Sequence, residues 1–236
     1  MGQILALGGG GFSMEPDNPL LDDFLLSLAA VKGRLPRVCF VPTASGDSDG
    51  YSERFLDAFG PSRADASVLS LFNRSVTDLD GFVRGQDVIY VGGGSTANLL
   101  AVWRVHGLDR ALRNAYDDGV VLAGISAGMN CWFEGSVTDS FDVSSLAPLE
   151  DGLGLLRGSA CPHYDGEELR RDTYVKLVRD GFPGGYAAED GVGLHFRDGE
   201  LVEAVTSTPG KAAYVVRAVD GEVVEERLGA RYLGDE

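Results

Sequence analysis

The sequence predicts an α/β fold, a doubly wound and mostly parallel sheet finished by C-terminal antiparallel hairpins. Three observations lead there. Short apolar runs at Gln3–Leu7, Val38–Val41, Val88–Val91 and Val120–Ile125 alternate with segments of helical periodicity, as strand–helix–strand units do. Several of these runs end in glycine-rich corners, Gly8-Gly9-Gly10-Gly11, Gly92-Gly93-Gly94 and Gly124-Ile125-Ser126-Ala127-Gly128, where open sheets of this class carry their ligands. The last third changes to short runs separated by Asp198-Gly199 and Asp220-Gly221, the dipeptides of tight hairpins. No repeat, low-complexity linker or second-domain boundary interrupts the chain, so residues 1–236 read as one domain.

Taken in order, Gln3–Leu7 is a first buried strand, and the four glycines after it form a wide turn at a site rim. They lack the spacing of a dinucleotide fingerprint, and no Lys-Ser/Thr follows as in a phosphate loop. Asn18-Pro19 caps a helix in which Leu20, Phe24, Leu25, Leu28 and Val31 recur at helical spacing. Arg37–Pro42 is the second strand, Tyr51–Phe59 a helix and Ala66–Leu71 the third strand. Asp87–Val91 is the fourth, leading through Gly92–Gly94 to a helix that Ser95 can cap and that carries Leu99, Leu100, Val102 and Trp103. Leu108–Asp118 is helical and leads into the strand before Ser126. Glu134–Glu150 reads as irregular and polar; Gly158–His163 reads as a short strand and Glu167–Asp180 as a helix.

Composition narrows the partners. The 236 residues include 36 acids against 20 bases, a formal charge of −16, which repels nucleic acid and anionic lipid. No apolar run is long enough to span a bilayer, and Met1–Leu7 lacks the basic flank and cleavage site of a signal peptide. The expectation is a cytoplasmic protein with no membrane or nucleic-acid partner. The three cysteines, Cys39, Cys131 and Cys161, form no metal-binding spacing, and no metal or cofactor is expected. Exposed hairpin edges offer a surface for a homodimer.

Gly124-x-Ser126-x-Gly128, between an apolar run and helix-compatible residues, has the form of a nucleophile elbow. The turn would present Ser126 outward at the strand end, with the N–H groups and positive end of the next helix facing whatever it attacks. A serine hydroxyl needs a base, and the chain offers three histidines. His106 falls near a helix end and His195 within a hairpin strand, whereas His163 ends a strand and follows Ser126 in the chain. His163 is therefore the candidate base. For the carboxylate that orients it, Asp139 lies between nucleophile and base in a polar loop; Glu134, Asp142, Asp165 and Glu189 compete with it. Backbone N–H groups at Gly92–Gly94 suit an oxyanion hole.

Val91-Gly92-Gly93-Gly94-Ser95-Thr96, Gly124–Asn130, Pro162-His163-Tyr164-Asp165-Gly166-Glu167 and Val41-Pro42-Thr43-Ala44-Ser45 occur in an order that resembles the peptidase E family. These are the S51 serine peptidases, which include the aspartyl dipeptidases and, more distantly, cyanophycinase. The resemblance implies a fold like class I glutamine amidotransferases with serine in place of cysteine. It implies Ser126 as nucleophile, His163 as base, Asp139 as third member, and Gly93 or Gly94 with Ala127 as oxyanion donors. The implied activity is hydrolysis of short peptides through an acyl-enzyme, with Asp-X dipeptides as one substrate class. The aspartyl dipeptidases carry Gly-Glu-Thr-Arg after the histidine, the arginine gripping the substrate's aspartate. Here the stretch is Gly166-Glu167-Glu168-Leu169-Arg170-Arg171, with leucine at that arginine's place and Arg170 or Arg171 as substitutes. A broader-specificity, carboxypeptidase-like or cyanophycinase-like hydrolase without aspartate preference is thus an alternative. Outside the hydrolases, the same scaffold could serve as a non-catalytic small-molecule binder, or as an amidotransferase-like domain using Cys131.

Overall fold

The computed structural model describes residues 2–235; Met1 and Glu236, the ends of the expected 1–236 unit, lie outside them. In chain order the first half holds β1 (Gln3–Leu7), α1 (Gly11–Met14), α2 (Leu20–Leu28), β2 (Arg37–Val41), α3 (Asp49–Ala58), β3 (Asp65–Val68), α4 (Leu79–Arg84), β4 (Val88–Val91), α5 (Thr96–His106), α6 (Leu108–Asp117) and β5 (Val121–Ile125). The second half holds α7 (Ala127–Asn130), β6 (Phe133–Thr138), β7 (Ala147–Leu149), β8 (Leu156–Cys161), α8 (Arg170–Arg179), β9 (Gly185–Ala188), β10 (Val192–Arg197), β11 (Glu200–Thr206), β12 (Ala212–Val219) and β13 (Glu222–Tyr232).

The strands order as β3-β2-β4-β5-β1-β10-β11-β13-β12-β9-β8-β6-β7. The first five pair in parallel, and side-chain alternation explains the double winding. Ile4, Ala6, Cys39, Val41, Ile89, Val91 and Leu122 face one core with Leu99 and Trp103 of α5 and Leu108 and Leu112 of α6. Leu5, Leu7, Val38, Phe40, Tyr90, Ala123 and Ile125 face the other, with Phe12, Leu21, Leu25 and Phe55 from α1, α2 and α3. Strands buried on both faces must be apolar throughout, which is why β4 and β5 read so clearly.

The Asp-Gly hairpins form as expected. Asp198 and Gly199 take φ of 50° and 84°, and Asp220 and Gly221 take 51° and 86°, positive at both central positions as a tight hairpin needs. β13 pairs antiparallel with β12 over Glu222–Gly229, then parallel with β11 over Ala230–Tyr232. Through β10 and β11, an antiparallel pair placed beside β1, this one long strand joins the five parallel strands to the second half. There β6, β8 and β9 are parallel, and Tyr174 and Val178 of α8 pack with Val137, Cys161 and Val216.

The structure corrects the reading of Glu134–Glu150 as irregular. Phe133–Thr138 is a strand because β8 supplies a partner distant in sequence, and Ala147–Leu149 adds the edge strand. The elbow helix α7 is only four residues long. Its contribution is therefore a few oriented N–H groups rather than a macrodipole.

Candidate active site

The corners after β4 and β5 meet, as their glycines suggest. Ser126 adopts φ 56° and ψ −111°, a conformation few non-glycine residues tolerate. The turn closes tightly: a Cβ on Gly124 would lie 2.3 Å from Gly128 O, and one on Gly128 would lie 2.3 Å from Val91 O. A Cβ on Gly93 would sit 3.4 Å from Ser126 Cβ and 3.9 Å from its Oγ, so the β4 corner abuts the serine.

His163 follows β8 and Pro162, also with positive φ, 53°. The end of β1 holds both residues. Ser126 N–H donates to Leu7 O and His163 N–H to the next carbonyl, Gly8 O, each at 3.1 Å. Gly191 N–H donates to the third, Gly9 O, at 3.2 Å. The residue before Gly191 is Asp190, whose Oδ1 lies 2.7 Å from His163 Nδ1. A carboxylate only accepts, so Nδ1 carries the proton and Nε2 is left as the basic nitrogen.

Asp190, absent from the candidates above, thus takes the position at His163 expected for Asp139. Its carboxylate is closely walled: a Cβ on Gly9 would lie 2.0 Å from Oδ1, and one on Gly166 would lie 2.1 Å from Oδ2. Its N–H donates to Asp165 Oδ1 at 3.0 Å, and Lys211 pairs with the other oxygen of Asp165. The other competing acids are engaged elsewhere. Glu134 accepts from Gly158 N–H at 2.7 Å and Asp142 from Ser144. Glu189 accepts from Ala212 N–H and the Tyr214 hydroxyl. The only sequence sign of Asp190 is its place just past the apolar run of β9.

Asp139 instead lines a cavity of about 510 Å³ that opens over Ser126 and is also bounded by Gly94, Asn98, Glu167 and Arg170. Its loop is fastened from beneath. Ser140 Oγ accepts from Ala97 N–H at 3.2 Å and lies 2.6 Å from Thr138 Oγ1. Asn130 Nδ2 donates to Thr96 Oγ1 and Val137 O. The two candidate arginines separate. Arg170, 3% exposed, reaches the cavity. Arg171 pairs with Glu225 and lies over the rings of Tyr164 and Tyr214, away from the cavity lining.

Of the three proposed oxyanion donors, Gly93 N–H already donates to the Tyr51 hydroxyl at 3.2 Å. Among the described residues no acceptor meets the N–H of Gly94 or Ala127. Gly94 needs to be glycine: its φ is 133°, and a Cβ would lie 2.2 Å from Ala44 O. Cys131 is fully buried and burial pushes its thiol up, which removes it as a nucleophile. His195 sits against Gln3. Among the described residues no three His, Cys, Asp or Glu side chains group to hold a metal ion.

Comparison with known proteins gives the family. The model of Peptidase family S51 matches residues 4–204. The chain belongs to peptidase family S51. This S51 chain is 52% identical to the uncharacterized peptidase YgaJ of Bacillus subtilis (strain 168) over 235 residues, 99% of this chain and all of that one. It is 32% identical to Peptidase E of Streptomyces coelicolor over 162 residues, 65% of each chain. A crystal structure of a peptidase from an acI-B1 actinobacterium superposes with a TM-score of 0.73 at 17% identity, covering 98% of this chain and 95% of that one. A putative peptidase E protein from Listeria monocytogenes EGD-e gives 0.60 at 20% identity, covering 97% and 100%. At such identities these two establish the fold. The S51 chain is a serine-type peptidase. No helix among its described residues is long and apolar enough to cross a membrane.

Proposed function

We propose that this peptidase hydrolyses short peptides through an acyl-enzyme, with Ser126 as nucleophile, His163 as general base and Asp190 as the carboxylate that orients it. One observation carries the reading: three consecutive carbonyls, of Leu7, Gly8 and Gly9, hold Ser126, His163 and the neighbour of Asp190. Ser126 Oγ attacks the scissile carbonyl carbon while His163 Nε2 takes its proton. The Asp190 carboxylate steadies the imidazolium that forms. Gly94 and Ala127 N–H groups receive the oxyanion, each worth about 3 kcal/mol of barrier. His163 then gives its proton to the leaving amine. Water, deprotonated by His163, releases the acyl group and restores the serine.

Cavity size favours short substrates, since about 510 Å³ is the scale of a small-molecule site. The walls favour the broader-specificity alternative over Asp-X cleavage. The cavity's one guanidinium, Arg170, already holds Glu167. The test is a dipeptide panel on wild type and Ser126→Ala, with a fluorophosphonate probe to label Ser126. Loss of both turnover and labelling in a folded variant is the expected result. Peptide hydrolysis retained by Ser126→Ala overturns the assignment.

A further inference from the structure

We propose that the Ser126 cavity selects peptides bearing a cationic group through Asp139 and Glu167, and disfavours acidic ones. The proposal rests on the reading of Ser126 as the reacting centre. It comes from the charges on the cavity walls. Asp139, Glu167 and Arg170 are the ionisable residues lining the cavity over Ser126. A neighbouring cavity of about 390 Å³ shares Asp139 and Glu167 and adds Glu168. Three acids therefore face one base, a formal −2 across the two.

That base is not available to a ligand carboxylate. Arg170 Nε and Nη2 both donate to Glu167 Oε2. Its Nη1 donates to Val137 O at 3.2 Å. An incoming acidic group would have to displace Glu167 from a guanidinium that is 3% exposed, and would also meet Asp139. Such like-charge contact costs several kcal/mol. Asp139, by contrast, is exposed on the cavity wall, and none of the ion pairs among the described residues involves it. An ammonium entering the cavity finds one carboxylate free and a second nearby. The overall charge of −16 adds a long-range attraction of the same sign. Glu167 in effect occupies the place a substrate's acidic side chain would take on Arg170.

The ammonium can come from the substrate's amino terminus or from a basic side chain, and the assay separates them. We would measure kcat/KM for Lys-Ala, Ala-Ala, Asp-Ala and N-acetyl-Lys-Ala, and calorimetric affinities of the same peptides for Ser126→Ala. Lys-Ala is expected to exceed Asp-Ala by at least about tenfold. Asp139→Asn, on an exposed residue, should narrow that ratio by about fivefold. Glu167→Gln removes the negative charge that holds Arg170, leaving only a neutral acceptor, and should raise kcat/KM for Asp-Ala specifically. Loss of N-acetyl-Lys-Ala binding assigns the site to the α-ammonium, and its retention assigns it to the side chain. A wild-type preference for Asp-Ala, or equal behaviour of Lys-Ala and Asp-Ala in both arms, overturns the proposal. Absence of turnover with every peptide, together with an unlabelled Ser126, refutes the hydrolytic reading instead; the calorimetric arm then still decides the charge preference.

Discussion

Replacing Asp190 by asparagine tests the constellation most directly. The carboxylate can only accept, so it holds the proton on His163 Nδ1 across a 2.7 Å contact and leaves Nε2 unprotonated in the neutral imidazole, as the proposed mechanism requires. Asparagine has nearly the same shape and presents an NH2 group that donates. With the NH2 facing Nδ1, the imidazole carries its proton on Nε2, where it cannot act as a base. The Cβ clearances at Gly9 and Gly166 leave the amide little room to move away. The comparable change in a serine triad costs about 10⁴-fold in kcat, or ~5.5 kcal/mol at 1.36 kcal/mol per decade. Fluorophosphonate labelling of Ser126 should slow alongside turnover, because both need the same base. Asp139→Asn changes the cavity wall rather than the imidazole, and should cost less than about tenfold in kcat. The assay is steady-state hydrolysis plus labelling rate, with thermal unfolding to show that each variant is folded. If Asp139→Asn lowers kcat and labelling more than Asp190→Asn does, the orientation argument is wrong.

Three other outcomes follow from the geometry. Ser126 stores backbone strain at φ 56°, so Ser126→Gly should be more stable than Ser126→Ala by about 1–3 kcal/mol in urea titration, with both inactive; equal stability would mean the turn is unstrained. Gly9→Ala and Gly166→Ala place a Cβ 2.0 and 2.1 Å from the Asp190 carboxylate, and each should lower kcat by about 10²-fold; unchanged kcat in both would show that the carboxylate position does not matter. Asp22 is buried beneath α1, and burial, opposed by Arg63, pushes its carboxyl up to about 7. An acid raised in the folded state binds more protons folded than unfolded, so its contribution is fully present below pH ~4 and is lost as pH rises to about 7. Asp22→Asn should therefore gain stability over wild type at pH ~8, by up to ~4 kcal/mol, with the gain shrinking toward pH ~4; parallel stability curves would contradict this.

What the sequence made legible was local. The apolar runs of β4 and β5 are buried on both faces, so their composition alone marks them. The elbow shows because its glycines and serine are consecutive, and His163 because three histidines leave few choices. Asp190 was hidden because its role depends on clearance at Gly9 and Gly166, far away in the chain, and 36 acids offered no local distinction. Tyr51 meeting Gly93 N–H was equally hidden, since α3 reaches that corner only by packing across the sheet face. Phe133–Thr138 looked polar because β8 pairing, rather than apolar character, makes it a strand.

The glycine run after β1 then acquires a reason that turn chemistry alone does not supply. β1 lies between β5 and β10, so its end is where the parallel half of the sheet meets the strands returning from the second half. From Leu7 onward the backbone offers its carbonyls in turn to Ser126, His163 and Gly191, residues from three separate corners. Bringing all three close requires that nothing project from the strand end. A Cβ on Gly8 would lie 2.5 Å from Ala188 O, and one on Gly9 would lie 2.0 Å from Asp190 Oδ1. The run therefore works as a floor without side chains, on which corners distant in sequence are set against one another. Its backbone fixes their spacing more rigidly than side-chain contacts could, because a strand end held by sheet bonds on both sides has few ways to move.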